Sequence, residues 1–118
     1  MYKTVDAMKS VISGLKDGRH IVIIAVELRH AIHFMQSFRE MHTHSPEFGD
    51  HALEFCNATS MKYKNGGFFQ VVHEGQQFNS ELFKHFDTVL VDGRITAGNW
   101  ESNIDPYLHN KVWAFVTL

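Results

Sequence analysis

Two acidic residues stand where carboxylates commonly do chemistry. Glu27 follows the apolar run Ile21 to Val26, and Asp92 follows Val89-Leu90-Val91. In a parallel sheet both would lie at the carboxyl edge of the strands, where open α/β folds place their ligands. Two carboxylates there could hold a divalent metal such as magnesium through oxygen, which would serve phosphoester hydrolysis or phosphoryl transfer. A structural reading competes with this one. Glu27 would open a helix, where negative charge suits the dipole, and Asp92 with Gly93 would make a turn. Arg94 can pair with either acid, which favours the structural reading.

A second cluster is His42-Thr43-His44-Ser45-Pro46-Glu47-Phe48-Gly49-Asp50-His51, with His42, His44 and His51 as candidate metal ligands. A zinc site needs three or four converging ligands with supporting hydrogen bonds. Five residues separate His44 from Asp50, where the similar metallo-hydrolase motif has one. A solvated loop accounts for the same residues. Cys56 has no motif around it and reads as a small buried hydrophobe rather than a nucleophile. His30 and His33 are helix neighbours at i and i+3 and read as surface residues. No residue is assigned a catalytic role.

The aromatic residues suggest contact instead. Trp100 falls in an irregular segment with Asn99 and Tyr107. An aromatic in a polar loop either anchors a partner or pins the loop to the body. Trp113 belongs to an apolar run and is expected in the core. Tyr63 and Lys62, on a hairpin with one wet face, complete the candidate binding residues.

The elements that must position these groups follow from periodicity. Residues 4 to 17 read as a helix with Val5, Met8, Val11, Ile12 and Leu15 inward and Gly18 as its stop. His20 to Val26 is a buried strand. Leu28 to Met41 forms a second helix with an inner stripe of Leu28, Ala31, Ile32, Met35 and Phe38. His42 to Asp50 is a loop. Residues 51 to 59 suit a strand or a short helix capped by Asp50, and the strand is taken here. Asn65-Gly66 between Met61–Lys64 and Gly67–Val72 signals a hairpin. Asn79 or Ser80 caps a short helix through His85. Thr88 to Asp92 is a strand apolar on both faces, hence covered on both. Residues 93 to 110 read as a loop with a short helical piece around Pro106 to His109. Lys111 to Leu118 closes as a third apolar strand. The fold class is α/β: one domain over residues 1–118, a layered sandwich with a mostly parallel central sheet and an antiparallel hairpin.

The totals bound the function classes. The chain has 118 residues, 44% hydrophobic and 20% charged, so it can bury an ordinary core. A net charge of −2 argues against nucleic acid and anionic lipid as partners. The single cysteine forbids an internal disulfide. The start lacks a signal-peptide apolar core, and Ile21 to Val26 is too short to span a bilayer. A reducing cytoplasm is expected.

Three stretches give the chain a resemblance to the P-loop ATPase core of phage terminase large subunits and helicases. Gly18 to Phe38 resembles the strand and helix that follow their first helix. Tyr63-Lys64-Asn65-Gly66-Gly67-Phe68 resembles their hairpin, and Phe86-Asp87-Thr88-Val89-Leu90-Val91-Asp92 their Walker B strand, whose aspartate helps hold magnesium. The phosphate-binding Gly-x-x-x-x-Gly-Lys-Ser/Thr is absent, and Gly93 stands where a catalytic glutamate commonly follows. The resemblance therefore implies a relative that kept the scaffold without ATP hydrolysis, in keeping with a phage or other mobile-element origin. The expectation is a non-enzymatic accessory or regulatory protein that binds another protein without a cofactor. Self-association is a second way to cover sheet edges. The alternative is the metal-dependent phosphoester or phosphoryl-transfer enzyme using Glu27 and Asp92.

Overall fold

A computed structural model describes residues 4–44, 53–74 and 80–118. Helix α1 (Thr4–Lys16) puts Ala7, Met8, Val11, Ile12 and Leu15 in the core, a three-four spacing that leaves its polar residues outside. It ends at Gly18, whose φ of 75° is left-handed. Gly18 N donates to Leu15 O, and Arg19 N to Gly14 O at 2.9 Å, the paired closure of a helix terminus.

Strand β1 (His20–Ala25) follows, then helix α2 (Leu28–His44), reached through Val26 and Glu27. Strands β2 (Leu53–Cys56), β3 (Ser60–Tyr63) and β4 (Phe68–His73) come next. Helix α3 (Ser80–Lys84) leads into β5 (Thr88–Asp92). A helix of changing pitch then runs on without interruption. One α turn, Ala97–Asn99, passes into a π turn, Trp100–Ile104, and a 3-10 turn, Asp105–Tyr107. Strand β6 (Val112–Val116) is last.

Among the described residues the strands form one six-stranded sheet in the order β2-β3-β4-β1-β5-β6. β4, β1, β5 and β6 are mutually parallel, and β2 and β3 add antiparallel. The α/β sandwich with a mostly parallel sheet and an antiparallel hairpin is thus the observed architecture. β5 lies between β1 and β6 and is buried along its whole length. Alternation along the strands divides the core. Ile21, Ile23, Phe69, Val71 and Leu90 face α1 and α2. Val22, Ile24, Val72, Val89 and Val91 face Phe83 and Phe86, with Ile104 of the mixed helix and Leu108 just after it.

Five local expectations need correction. The buried stripe of α2 is Ala31, Phe34, Met35, Phe38 and His42, while Leu28 and Ile32 are 51% and 42% exposed. The helix continues through His44, and His42 extends the stripe because its imidazole bonds the Tyr63 hydroxyl at 2.7 Å. Residues 97–105 are helical rather than loop, and the helical piece expected around Pro106 to His109 is only the last turn of the same helix, ending at Tyr107; the burial of Ile104 and Asn103 Nδ2 donating to Asn99 Oδ1 at 2.7 Å hold it. Trp113 is 40% exposed, since β6 is an edge strand. Cys56 is exposed, because β2 is the opposite edge.

Candidate functional site

Three adjacent parallel strands end in an acid. β1 leads to Glu27, β4 to Glu74 and β5 to Asp92, so all three mark the carboxyl edge of the sheet. Glu74 N donates to Ala25 O at 2.9 Å, which ties the ends of β4 and β1 together. The sequence signal for Glu74 was the same acid-after-strand pattern shown by Glu27 and Asp92. It was hidden because His73 interrupts the apolar run.

Each acid has a partner. Asp92 is buried, and Arg94 closes on it from two residues away. Asp92 Oδ1 accepts from Arg94 N at 3.0 Å and Nε at 3.1 Å, and Oδ2 accepts from Nη2 at 2.8 Å. The same Nη2 approaches His30 Nδ1 at 3.4 Å and Leu118 O at 3.2 Å. The bonds it donates to Asp92 hold the Arg94 guanidinium protonated still more firmly than usual, against some desolvation, and the Asp92 and Glu27 charges add to that. Glu27 Oε2 itself meets Arg29 Nε at 2.6 Å on the open surface.

Glu74 holds the start of the mixed helix. Its Oε1 accepts from Thr96 N at 3.3 Å and Thr96 Oγ1 at 2.7 Å, and from Asn99 Nδ2. Burial pushes the Glu74 carboxyl up, and the nearby Asp92 charge pushes the same way. The Asn99 and Thr96 hydrogen bonds outweigh both and leave it below its ordinary value. The edge is therefore a set of closed acid–donor units. A cation at Asp92 would have to displace a bidentate guanidinium.

Next to this edge an open groove of about 730 Å³ is lined by Arg29, His30, His33, Phe34 and Leu118. A smaller one, about 100 Å³, runs beside Leu28 and Ile32 toward Val71 and His73. The β1–α2 connection contains no glycine and carries the Glu27 carboxylate at the helix start, where a bound phosphate would need amides and positive charge.

The histidine cluster divides. His42 is buried against Tyr63 and Phe38, His44 is exposed on the last turn of α2, and His51 lies outside the described residues, as does 45–50. Among the described residues no group of three or more His, Cys, Asp or Glu side chains is arranged to hold a metal ion. Tyr63 belongs to the inner face of the hairpin, not the wet one, and burial pushes its hydroxyl up to about 12. Lys62 is on the other face, 3.4 Å from Glu54, and borders a groove of about 540 Å³ with His20, Phe55, Phe68 and His85.

The aromatic candidates converge on β6. Trp100 lies 5.1 Å from Trp113 and 4.9 Å from Phe115, ring centre to ring centre, and Trp113 meets Phe115 edge-on at 5.3 Å. Trp100 is half-buried in this cluster and so pins the mixed helix, while Trp113 presents ring surface outward. Tyr107 stacks on Phe83 at 5.1 Å. No helix among the described residues is long and apolar enough to cross a membrane. Comparison of the chain with family models, curated proteins and solved structures finds no match.

Proposed function

We propose that this chain is a non-enzymatic protein-binding accessory or regulatory protein, on a scaffold that resembles a P-loop core without its phosphate loop. One observation carries the reading: the Trp100–Trp113–Phe115 cluster leaves Trp113 40% exposed, and Val112 on the other face is 57% exposed, both on an uncharged edge strand. Exposed aromatic surface is costly in water, and a strand edge that pairs with no other described strand offers a template beside it; protein partners cover both. The closed state of Asp92 and the carboxylate at the start of α2 support the same reading, because neither favours a bound triphosphate. A phage or mobile-element setting belongs to this proposal through the resemblance, and a cytoplasmic location through the single cysteine.

The test is affinity capture with the tagged chain in extract of its native cell, beside Trp113→Lys. The wild type should retain a protein in stoichiometric amount, a second copy of itself included, and the variant should not, while both stay folded by circular dichroism at the capture temperature. Equal capture by both would overturn the reading.

The rival is a metal-dependent phosphoester or phosphoryl-transfer enzyme using Glu27 and Asp92. In its favour, three acids end neighbouring strands. Magnesium or manganese raising the wild-type melting midpoint, but not that of Asp92→Asn, together with metal-stimulated phosphoester hydrolysis, would decide for it.

A further inference from the structure

The two ends of the sheet are finished differently. On the β2 edge Glu54 pairs with Lys62 at 3.4 Å, and the register with β3 slips between Leu53 and Phe55. A charge and an irregular register both discourage another strand from adding there. β6 has neither device. Val112-Trp113-Ala114-Phe115-Val116 carries no charge and follows β5 in unbroken register from Thr88↔Val112 to Asp92↔Val116.

Hydrogen bonds fix which of its residues face the open side. Val112 N donates to Asp87 O at 3.1 Å, and Val116 O accepts from Gly93 N at 2.9 Å. Backbone groups alternate sides along a strand. Val112, Ala114 and Val116 therefore bond toward β5, and Trp113 and Phe115 turn their N–H and C=O groups outward. Side chains alternate between the faces as well: Ala114 and Val116 pack toward α1 and α2, and Phe115 toward the Trp100 side.

By residue class this strand reads the same in both directions about Ala114. We propose that a second copy of the chain pairs with β6 edge to edge, antiparallel, on a two-fold axis through Ala114. The proposal rests on the protein-binding reading and names its partner. In this register Trp113 exchanges both backbone hydrogen bonds with Phe115 of the second copy. Val112 faces Val116, and Ala114 faces itself as a non-hydrogen-bonded pair. Each outward-bonding pair is aromatic on aromatic on the Trp100 side, the kind of cross-strand contact that stabilises a sheet. Lys111 falls opposite Thr117, so no like charges meet. An axis through Trp113 would instead set Lys111 against Phe115. An isologous interface requires self-complementarity of this kind, which binding a foreign strand does not.

Two measurements test it together. In Cys56→Ser/Ala114→Cys the two introduced thiols would sit on Cα atoms about 4.5 Å apart, the spacing of a non-hydrogen-bonded pair and within disulfide range. Mild oxidation should convert most of the protein to a covalent dimer, well ahead of a control with cysteine at exposed Glu101. Sedimentation equilibrium of the wild type should give twice the 13.6 kDa chain mass, falling to a single chain for Trp113→Lys and unchanged for Leu28→Lys. A wild type that stays at 13.6 kDa from micromolar to millimolar concentration overturns the proposal, as does cross-linking at Ala114→Cys no faster than the control. A monomer that still captures another protein through Trp113 would sink this inference and leave the protein-binding reading standing. A dimer that hydrolyses phosphoesters with metal would do the reverse.

Discussion

Arg94 grips both carboxylate oxygens of Asp92, with Nη2 at 2.8 Å from Oδ2 and Nε at 3.1 Å from Oδ1, although the aspartate is buried and the arginine half-exposed. The acid that ends β5 therefore has its charge balanced within the chain. Arg94→Leu would leave a buried carboxylate with only the Arg94 backbone N–H, a loss on the order of 3 kcal/mol. Asp92→Asn/Arg94→Leu should lose less than Arg94→Leu alone, because no unpaired charge remains. Urea unfolding of the two variants checks the order.

At alkaline pH the Tyr63 phenol sets a distinct leg of the stability profile. Its folded value of about 12 lies above the ordinary 10, because burial penalises the phenolate. The folded state thus holds its proton longer than the unfolded chain does, and stability falls as pH rises from 10 toward 12. The stability difference between wild type and Tyr63→Phe should be flat below pH 10 and move against the wild type above it. Below pH 10 Tyr63→Phe should itself cost about 1 kcal/mol, through the lost bond to His42.

Glu74 acts in the opposite direction. Hydrogen bonds from Asn99 and Thr96 hold its carboxyl below the usual 4.5 in the folded chain. Its contribution is fully present above 4.5 and is lost as pH falls through the lowered folded value. Glu74→Gln should cost about 1 kcal/mol near neutrality, and its gap from the wild type should narrow in acid. Thermal melts from pH 7 down to pH 3 read this directly.

The hairpin turn also caps a helix. Asn65 Nδ2 donates to Leu15 O and Lys16 O, both at 3.0 Å, while Oδ1 accepts from Gly67 N at 2.8 Å. Asn65→Ala removes both of these bonds to the end of α1, leaving Leu15 O the one from Gly18 N, and should cost about 1 kcal/mol. Gly67→Ala should cost at least as much, since a β-carbon there would press into Leu15 O. Chemical unfolding of both variants is the check.

The sequence carried the parallel layout well, because β1 and β5 are long β-branched runs and Asn65-Gly66 is a strong local turn signal. It carried the flanks less well, and for physical reasons. Both candidate stripes of α2 have helical spacing. The choice turned on His42, whose polarity hides that it belongs to the core until Tyr63 is seen to meet it. Trp113 looks like core by type, and only the strand order puts it at an edge. The mixed helix contains Gly98, Asn99, Asn103 and Pro106, all poor helix formers, and forms because Ile104 and Leu108 bury against β5 and α3. At the carboxyl edge Glu27 and Asp92 could be placed from the strand ends and Arg94 named as a partner for either, whereas Glu74 and the choice of Asp92 by Arg94 rest on the fold.

Self-pairing of the chain is tested most directly by whether the open side of β6 is covered in solution. Amide hydrogen exchange at Trp113 and Phe115 measures this, since both N–H groups point away from the sheet. In the wild type at micromolar concentration both should be protected to within about tenfold of the inward amides of Val112 and Ala114, and Trp113→Lys should release Phe115. Exchange at both outward amides as fast as in an unstructured peptide, with Val112 and Ala114 still protected, would contradict it.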